Sequence, residues 1–239
     1  MSSSSPKDQV QDLPSLTTTR ATREDLPEAL HLVADSVAQQ RQFAARSIIL
    51  NPLSISIWIV FVAALYQYCD SFASFILTAT GSTMSLLITV RWACRGYIEE
   101  AEKIGERWLV SEQDEEAAKA SKTSENVLLV TKWGEEMVGV LIMRLVAGAT
   151  TKKQKKEAQA VIRAWTVKLR YRHKGLGRDL LDEASRIASE KFGEDVAMSF
   201  APEHANSFNL LPGIYSGPFK HREKLATKML AEVVGERPS

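Results

Sequence analysis

The sequence predicts an α+β domain interrupted by a hydrophobic helical hairpin, and three features carry that prediction. The apolar period is helical near the amino end, strand-like around 126–145, and helical again after 175. Two strand-like runs are joined by Trp133-Gly134-Glu135-Glu136, a hairpin signal. Between the first two helical stretches, the run from Ile48 to Val90 carries a single charge, Asp70. The expected architecture is a mixed, mostly antiparallel central sheet flanked by helices, with the hydrophobic hairpin inserted between the first two helices.

In chain order, residues 1–15 are polar and serine-rich, the composition of a disordered tail. Residues 1–19 hold no apolar run, so no signal peptide is expected there. Leu16–Ala21 has strand character. Thr22-Arg23-Glu24-Asp25 reads as a helix start, with Thr22 as the cap and Asp25 three positions on. The helix that follows places Leu26, Leu30, Val33 and Val37 on one face and runs toward Arg46.

As one helix, Ile48–Val90 would be about 65 Å long, twice the roughly 30 Å hydrocarbon core of a bilayer. The run must therefore fold back. A break near Gln67–Asp70 leaves Ile48–Tyr66 and Ser71–Val90, each close to spanning length, with Asp70 at the turn. At a helix centre that carboxylate would cost roughly 2.5–3.5 kcal/mol on insertion. Residues 16–47 and 91–239 then form one domain, and 48–90 an inserted transmembrane hairpin. Two alternatives stay open: a helical hairpin buried in a soluble core, and a re-entrant or interfacial hairpin, since Asn51-Pro52 interrupts the first stretch.

Beyond the hairpin, Tyr97, Ala101, Ile104 and Trp108 share one face of an expected amphipathic helix, and Ser111–Glu125 is a charged, alanine-rich link. Asn126–Lys132 and Met137–Leu145 are the paired strands. A basic loop follows at Lys152, Lys153, Lys155 and Lys156, read as solvated or as leaning on phosphates. Ala158–Val167 is strand-like, Gly175–Phe192 helical, Val196–Phe200 a short strand, and Arg222–Val234 a closing helix.

Composition removes several function classes. With 30 basic and 29 acidic residues the formal charge is +1, and no basic groove for nucleic acid is present in the pattern. Cys69 and Cys94 fall at different depths of the hairpin, which argues against their pairing and points to a reducing compartment. His31 and His221 have no metal-ligand spacing with any Cys or acid, so no metal is expected.

The informative segment is Trp165-Thr-Val-Lys-Leu-Arg-Tyr-Arg-His-Lys-Gly-Leu-Gly-Arg-Asp-Leu-Leu181. A strand enters a short polar loop, and the loop opens a helix through two glycines. That geometry gathers unpaired N–H groups at the positive end of a helix dipole, where a phosphate binds. Gly175 and Gly177 leave no Cβ in the way, and Arg172, Lys174 and Arg178 add charge. On these residues the sequence resembles the GNAT superfamily of acetyl-CoA-dependent acyltransferases, whose Arg/Gln-x-x-Gly-x-Gly/Ala signature stands here as Arg172-His-Lys-Gly175-Leu-Gly177. Arg20-Ala-Thr-Arg-Glu-Asp-Leu-Pro27 resembles the family's first strand and helix start, and Val127–Met143 its central hairpin. An insert between the first two helices is similar to the Camello-type membrane-anchored acetyltransferases.

The resemblance implies acetyl-CoA as co-substrate and no metal. Its diphosphate would lie on the backbone of His173, Lys174, Gly175, Leu176, Gly177 and Arg178, near Arg172. Its pantetheine arm would pair with the strand around Trp165–Leu169, at Val167 and Leu169. Asn206 is read either as a partner of the pantetheine amide or as a helix N-cap. Tyr215, nine residues after Asn206 where the family pattern has seven, is the candidate acid or equally an anchoring tyrosine. Glu203 and His204 are candidate bases or ordinary surface residues. The implied reaction is N-acetylation of a small-molecule or protein amine by direct attack on the thioester; the alternative is a CoA-binding scaffold or sensor without turnover. Arg41 and Arg46 before the two-span hairpin, and Arg91 and Arg95 after it, put both ends and the domain on the cytosolic side, and the Camello-type resemblance implies the endoplasmic reticulum. The family's two closing strands have no counterpart in the 24 residues after Tyr215, so sheet completion by a second subunit is also open.

Overall fold

The structure, a computed structural model, describes residues 15–109, 124–147, 150–151, 154–155, 158–194 and 196–235. The tail before Ser15, residues 111–123 of the expected link, and Lys152, Lys153 and Lys156 lie outside them.

Strand β1 (Leu16–Arg20) leads to helix α1 (Leu26–Ile49), which is followed by α2 (Pro52–Tyr68), α3 (Phe72–Ala93), α4 (Gly96–Glu102) and the short α5 (Glu106–Leu109). Strands β2 (Ser124–Trp133) and β3 (Glu136–Val146) form the long hairpin, and β4 (Thr150–Thr151) and β5 (Gln154–Lys155) a two-residue one. Then come β6 (Gln159–Val167), α6 (Leu176–Phe192), β7 (Ala197–Phe200) and α7 (Gly217–Gly235). The main sheet has the order β1-β2-β3-β6-β7; all neighbours are antiparallel except β6 and β7.

Alternation along the strands divides the core between the two faces of the sheet. Val127, Leu129, Leu141, Met143 and Leu145 pack under α6 and α7 with Leu180, Ile187 and Leu230. Val130, Val140 and Ile142 pack under α1 with Leu30, Val33 and Val37. The expected apolar face of the first helix is thus the buried one, and α7 covers the sheet face beside β7, where Leu230 and Val233 are buried.

Three details depart from the sequence reading. Thr22 does not cap α1: the helix begins at Leu26, and the Asp25 carboxylate reaches back to Thr22 N and Oγ1, both at 2.8 Å. Asp25 faces this way because Lys132 Nζ on β2 holds its other oxygen at 2.6 Å. The helix expected over Tyr97–Trp108 is broken into α4 and α5 at Lys103–Gly105, where glycine has poor helix propensity. The apolar face survives, with Tyr97 and Ala101 buried and Ile104 and Trp108 half-buried. The closing helix starts at Gly217, five residues earlier than expected, because Pro218 is tolerated in a first helical turn.

The hydrophobic run folds back at Cys69–Ser71, with Ser71 capping α3 through the Ser74 amide. The Asn51-Pro52 interruption becomes the corner between α1 and α2, bent by 55°, with Asn51 Oδ1 accepting from Leu53 N. No residue of α2 is buried, and only Val90 of α3 is. Neither helix of the hairpin is packed into the core of the domain. Ile57, Ile59, Val60, Leu77 and Ile88 are each more than 60% exposed, a continuous apolar surface far beyond scattered surface residues. Among the described residues one helical stretch, Phe72–Glu102 (α3 continued through α4), is long and apolar enough to cross a membrane, and α1 with α2 qualifies only as a bent pair.

Lys132 holds the Asp25 carboxyl down at about 2 from an ordinary 3.8, with Thr22 adding to the effect. A depressed folded value means the stabilisation is complete above the ordinary value and is lost as pH falls through about 2. Asp25→Asn is expected to lower Tm at pH 7 by about 3 °C and to flatten the acid limb of the stability curve below pH 4. Thermal melts of both proteins from pH 7 to pH 2 check this.

Candidate active site

The site is built where β6 and β7 part. They pair in parallel for four positions, Gln159↔Ala197 to Ile162↔Phe200. There β6 carries a bulge: Ile142 faces Ala164 and Met143 faces Ile162, so Arg163 is the extra residue. A bulge bends its strand and re-aims the groups beyond it. The Arg163 guanidinium is fixed by the carbonyls of Trp108 and Leu109 at 2.7 and 2.9 Å and lies over the Trp108 ring at 4.6 Å. The chain after β7 closes the split with Ala201 N on Ile162 O and Ala205 N on Arg163 O, both at 2.8 Å.

Beyond the bulge the outer edge of β6 has no strand beside it among the described residues. Trp165 O accepts from Asn206 Nδ2 at 3.3 Å, and Val167 O from Arg172 Nε at 2.8 Å. By the strand's alternation, the amides of Trp165 and Val167 lie on the same edge as those carbonyls. Asn206 is held in turn from α1: its Oδ1 accepts from Gln40 Nε2 at 2.8 Å and Ser36 Oγ at 3.2 Å. Asn206 stands in a turn, not at a helix start, so it caps no helix. Gln40 Oε1 is buried and has no partner among the described residues.

At the end of β6 the chain makes a single 3-10 turn, Leu169–Tyr171, and then opens α6. His173 has φ 63° and Gly175 φ 89°, both in the left-handed region. The reversal leaves the amides of His173, Lys174, Gly175, Leu176 and Gly177 without a hydrogen-bond partner among the described residues. The next two, Arg178 N and Asp179 N, are both taken by Gly175 O. Five consecutive free donors at the amino end of a 17-residue helix form an anion cradle. A Cβ on Gly175 would meet nothing within 4 Å, whereas one on Gly177 would come 2.9 Å from Trp165 Cζ2. The two glycines therefore serve different needs, backbone hand at the first and close packing at the second.

The loop is tethered by groups that no local pattern announces. Glu136 accepts from Lys168 Nζ at 3.0 Å and Tyr171 OH at 2.8 Å, and these two partners hold its carboxyl below the usual range. Trp165 Nε1 donates to Gly177 O at 3.0 Å. Burial, with Arg222 nearby, pushes the Arg172 guanidinium down, and Arg222 itself lies over the Phe43 ring at 5.0 Å. A partly desolvated Arg172, with Arg222 as its cationic neighbour, follows β6 directly before the five free amides, and such a corner favours anions.

The sequence matches the Acetyltransferase (GNAT) family over residues 90–209, half of the chain, from the end of α3 through Asn209. The chain belongs to the GNAT acetyltransferase family. Among solved structures, this GNAT chain is similar to a transcriptional regulator from Bacillus halodurans C-125, at 16% identity over 88% of this chain and 91% of that one, TM-score 0.38. It is also similar to an aminoglycoside acetyltransferase from an uncultured soil metagenomic sample in complex with sisomicin (11%, 88% and 86%, TM-score 0.37). A third is a predicted acetyltransferase with acetyl-CoA from Clostridium acetobutylicum (8%, 78% and 80%, TM-score 0.38). These likenesses carry no weight beyond the family match. No curated protein matches the chain.

The other expected GNAT site residues are dispersed. Leu169 is exposed at the loop, and Lys174 and Arg170 both lie 5.4 Å from the Tyr171 ring centre. Arg178 faces Asp182 one turn along α6 at 3.9 Å. Glu203 is exposed in the turn after β7. His204 Nδ1 meets Ala201 O at 3.0 Å and its ring packs near Phe200. Tyr215 lies at the α1–α2 corner, its hydroxyl accepting from Ser54 Oγ at 3.3 Å and its carbonyl from Ser47 Oγ at 2.7 Å. Among the described residues no cluster of His, Cys, Asp or Glu is arranged to hold a metal.

Gly175→Ala is expected to cost about 1 kcal/mol from backbone strain alone, and Gly177→Ala about 1–3 kcal/mol because the Trp165 ring must move. Urea unfolding followed by tryptophan emission separates them: only Gly177→Ala should also shift the native emission maximum.

Proposed function

We propose that this chain is a membrane-anchored N-acetyltransferase, similar to the Camello type, that moves acetyl from acetyl-CoA to a primary amine. The observation that carries the proposal is the run of five free amides from His173 to Gly177, set beside the open edge of β6. These residues fit the co-substrate: the cradle matches a diphosphate, and the free strand edge matches an extended arm bearing amide groups. In this reading the backbone of His173–Arg178 holds the phosphates, and Arg172 pins the loop to Val167 while its charge faces the site. Val167 at the end of β6 and Leu169 in the turn just after it take the pantetheine arm, and Asn206 fixes the width of the split. Gln40 Oε1 is the buried acceptor to which a bound N–H would donate.

When bound, acetyl-CoA supplies an activated thioester, from which acetyl passes to a neutral amine and CoA leaves as the free thiol. The protein must then remove a proton from the amine and deliver one to the sulfur. Tyr215 is the proposed acid, from the family resemblance, and Glu203 the proposed base, from its place just past β7. No cysteine lies in the loop or beside it, in keeping with direct transfer to the amine. A second reading, a CoA-binding scaffold or sensor without turnover, draws on two observations. The sheet has no described strand beyond the four-residue β7, and the Tyr215 hydroxyl is engaged by Ser54.

The exposed apolar surface of α2 and α3 supports burial in lipid, since in water it would be an aggregation surface. The Arg41 guanidinium donates to Arg91 O at 3.4 Å, so the two cationic flanks meet at one end of the hairpin. In the proposed arrangement both helices span, the turn at Asp70 lies on the far side, and the GNAT domain faces the cytosol, with the endoplasmic reticulum as the proposed membrane. Acceptors of either size, small amine or protein amine, and a self-associated form fit this arrangement.

Three outcomes test the proposal. Calorimetry should show CoA uptake by the wild type and none by Gly175→Glu, whose side chain and charge fill the cradle; absence of uptake by folded wild type ends the enzyme reading. With acetyl-CoA and an amine panel, detergent-solubilised protein should release thiol. Tyr215→Phe should then lower kcat about a hundredfold with little change in KM, and undiminished kcat would assign the tyrosine to the α1–α2 corner instead. For topology, a glycosylation acceptor inserted at the Cys69–Ser71 turn should be modified in microsomes, whereas a re-entrant hairpin would leave it bare.

A further inference from the structure

A separate cleft of about 460 Å³ lies at the foot of the hairpin, between α1, α3 and α4. Its walls are of two kinds. Ile88, Trp92 and Ile98 are apolar, and Ile88 and Trp92 are 64% and 73% exposed, continuing the bare face of α3. Arg41, Arg91 and Arg95 supply three guanidinium groups, and Glu99 and Glu102 stand on the same lining. This is where a hairpin held in a bilayer would leave the hydrocarbon and enter the headgroup layer. The tryptophan and the arginines are residue types that favour that depth.

We propose that this cleft seats the phosphate of a glycerophospholipid of one net negative charge, with an acyl chain laid along the Ile88–Trp92 face of α3. The proposal rests on the membrane reading above. Charge complementarity sets the lipid class. Three cations and two carboxylates leave the lining at +1, which matches a monoanionic lipid and opposes a polyphosphorylated head through Glu99 and Glu102. The three arginines are not equivalent. Arg95 Nε is paired with Glu99 at 3.2 Å. Arg41 is oriented across the cleft by its bond to Arg91 O, with its other N–H donors still to be used. The Arg91 guanidinium has no partner among the described residues. Arg91 and Arg41 therefore offer the forked, planar donor set that binds phosphate oxygens in pairs. A detergent without phosphate satisfies the apolar wall and leaves these donors unused, and phosphatidylcholine offers the same phosphate but adds a quaternary cation to a lining already at +1.

The test uses the full chain in neutral detergent micelles, titrated with dioctanoyl phosphatidylglycerol, dioctanoyl phosphatidylcholine or inorganic phosphate and read by tryptophan emission and thermal shift. Phosphatidylglycerol is expected to bind about fivefold or more tightly than phosphatidylcholine. Arg91→Gln should remove most of that preference, and Arg41→Gln/Arg91→Gln all of it, with CoA uptake unchanged as the check on folding. Equal binding of the two lipids overturns the site, as does a preference that survives the double substitution. Inorganic phosphate matching the lipid also overturns it, because the cleft would then be a plain anion site. Flotation with vesicles keeps the two readings apart. Failure to float with vesicles of any composition sinks the membrane reading itself, whereas flotation on phosphatidylcholine without a phosphatidylglycerol preference sinks only this cleft.

Discussion

Parallel pairing of β6 with β7 stops after four residues, and the site depends on that stop. A parallel edge that continued would consume the amides and carbonyls of Trp165 and Val167 in a ladder. The bulge at Arg163 prevents this by bending β6, and Arg163 itself is locked by the carbonyls that end α5. Asn206 then holds the gap at a fixed width, spanning from Trp165 O to Gln40 and Ser36 on α1. A strand edge left open inside a domain is otherwise a liability; here its carbonyls are occupied by side chains, and the edge faces the route to the loop at His173–Gly177.

The anion cradle follows from the same strand. Because β6 ends at Val167 with Arg172 tied to its last carbonyl, the chain must reverse within a few residues to start α6. The reversal uses two left-handed positions, His173 and Gly175, and such a turn points successive N–H groups the same way. Glu136, on the neighbouring strand, braces the turn through Lys168 and Tyr171. The run of free amides and the sheet geometry are thus one construction, and the GNAT family match covers the segment that contains it.

The hairpin is attached to the domain through a third small core, in which Ala44, Val90, Cys94 and Tyr97 meet Phe208 and Phe219. Tyr97 OH also accepts from Leu210 N at 3.2 Å. The segment after β7, which carries Asn206 and Tyr215, is therefore packed on the root of the hairpin. This contact joins the root of α2 and α3 to the segment that holds Asn206 beside β6.

Much of this was legible before any tertiary structure, because it depends on local physics. Apolar period and turn chemistry fixed the elements, the lone Asp70 in a long uncharged run set the fold-back, and two glycines after a strand marked the cradle. Tertiary structure decided the rest. Asn206 is bonded to residues 166 and 170 positions away in sequence, Glu136 reaches 32 and 35 positions, and Thr22 lost its capping role because Lys132 captured Asp25 from another strand. The same holds for the phosphate-binding cleft proposed between Arg41 and Arg91. Backbone preference acts between near neighbours and is written in the order of residues. The partner of a buried polar group is set by which elements the packed core brings into contact, and spacing along the chain carries no record of that.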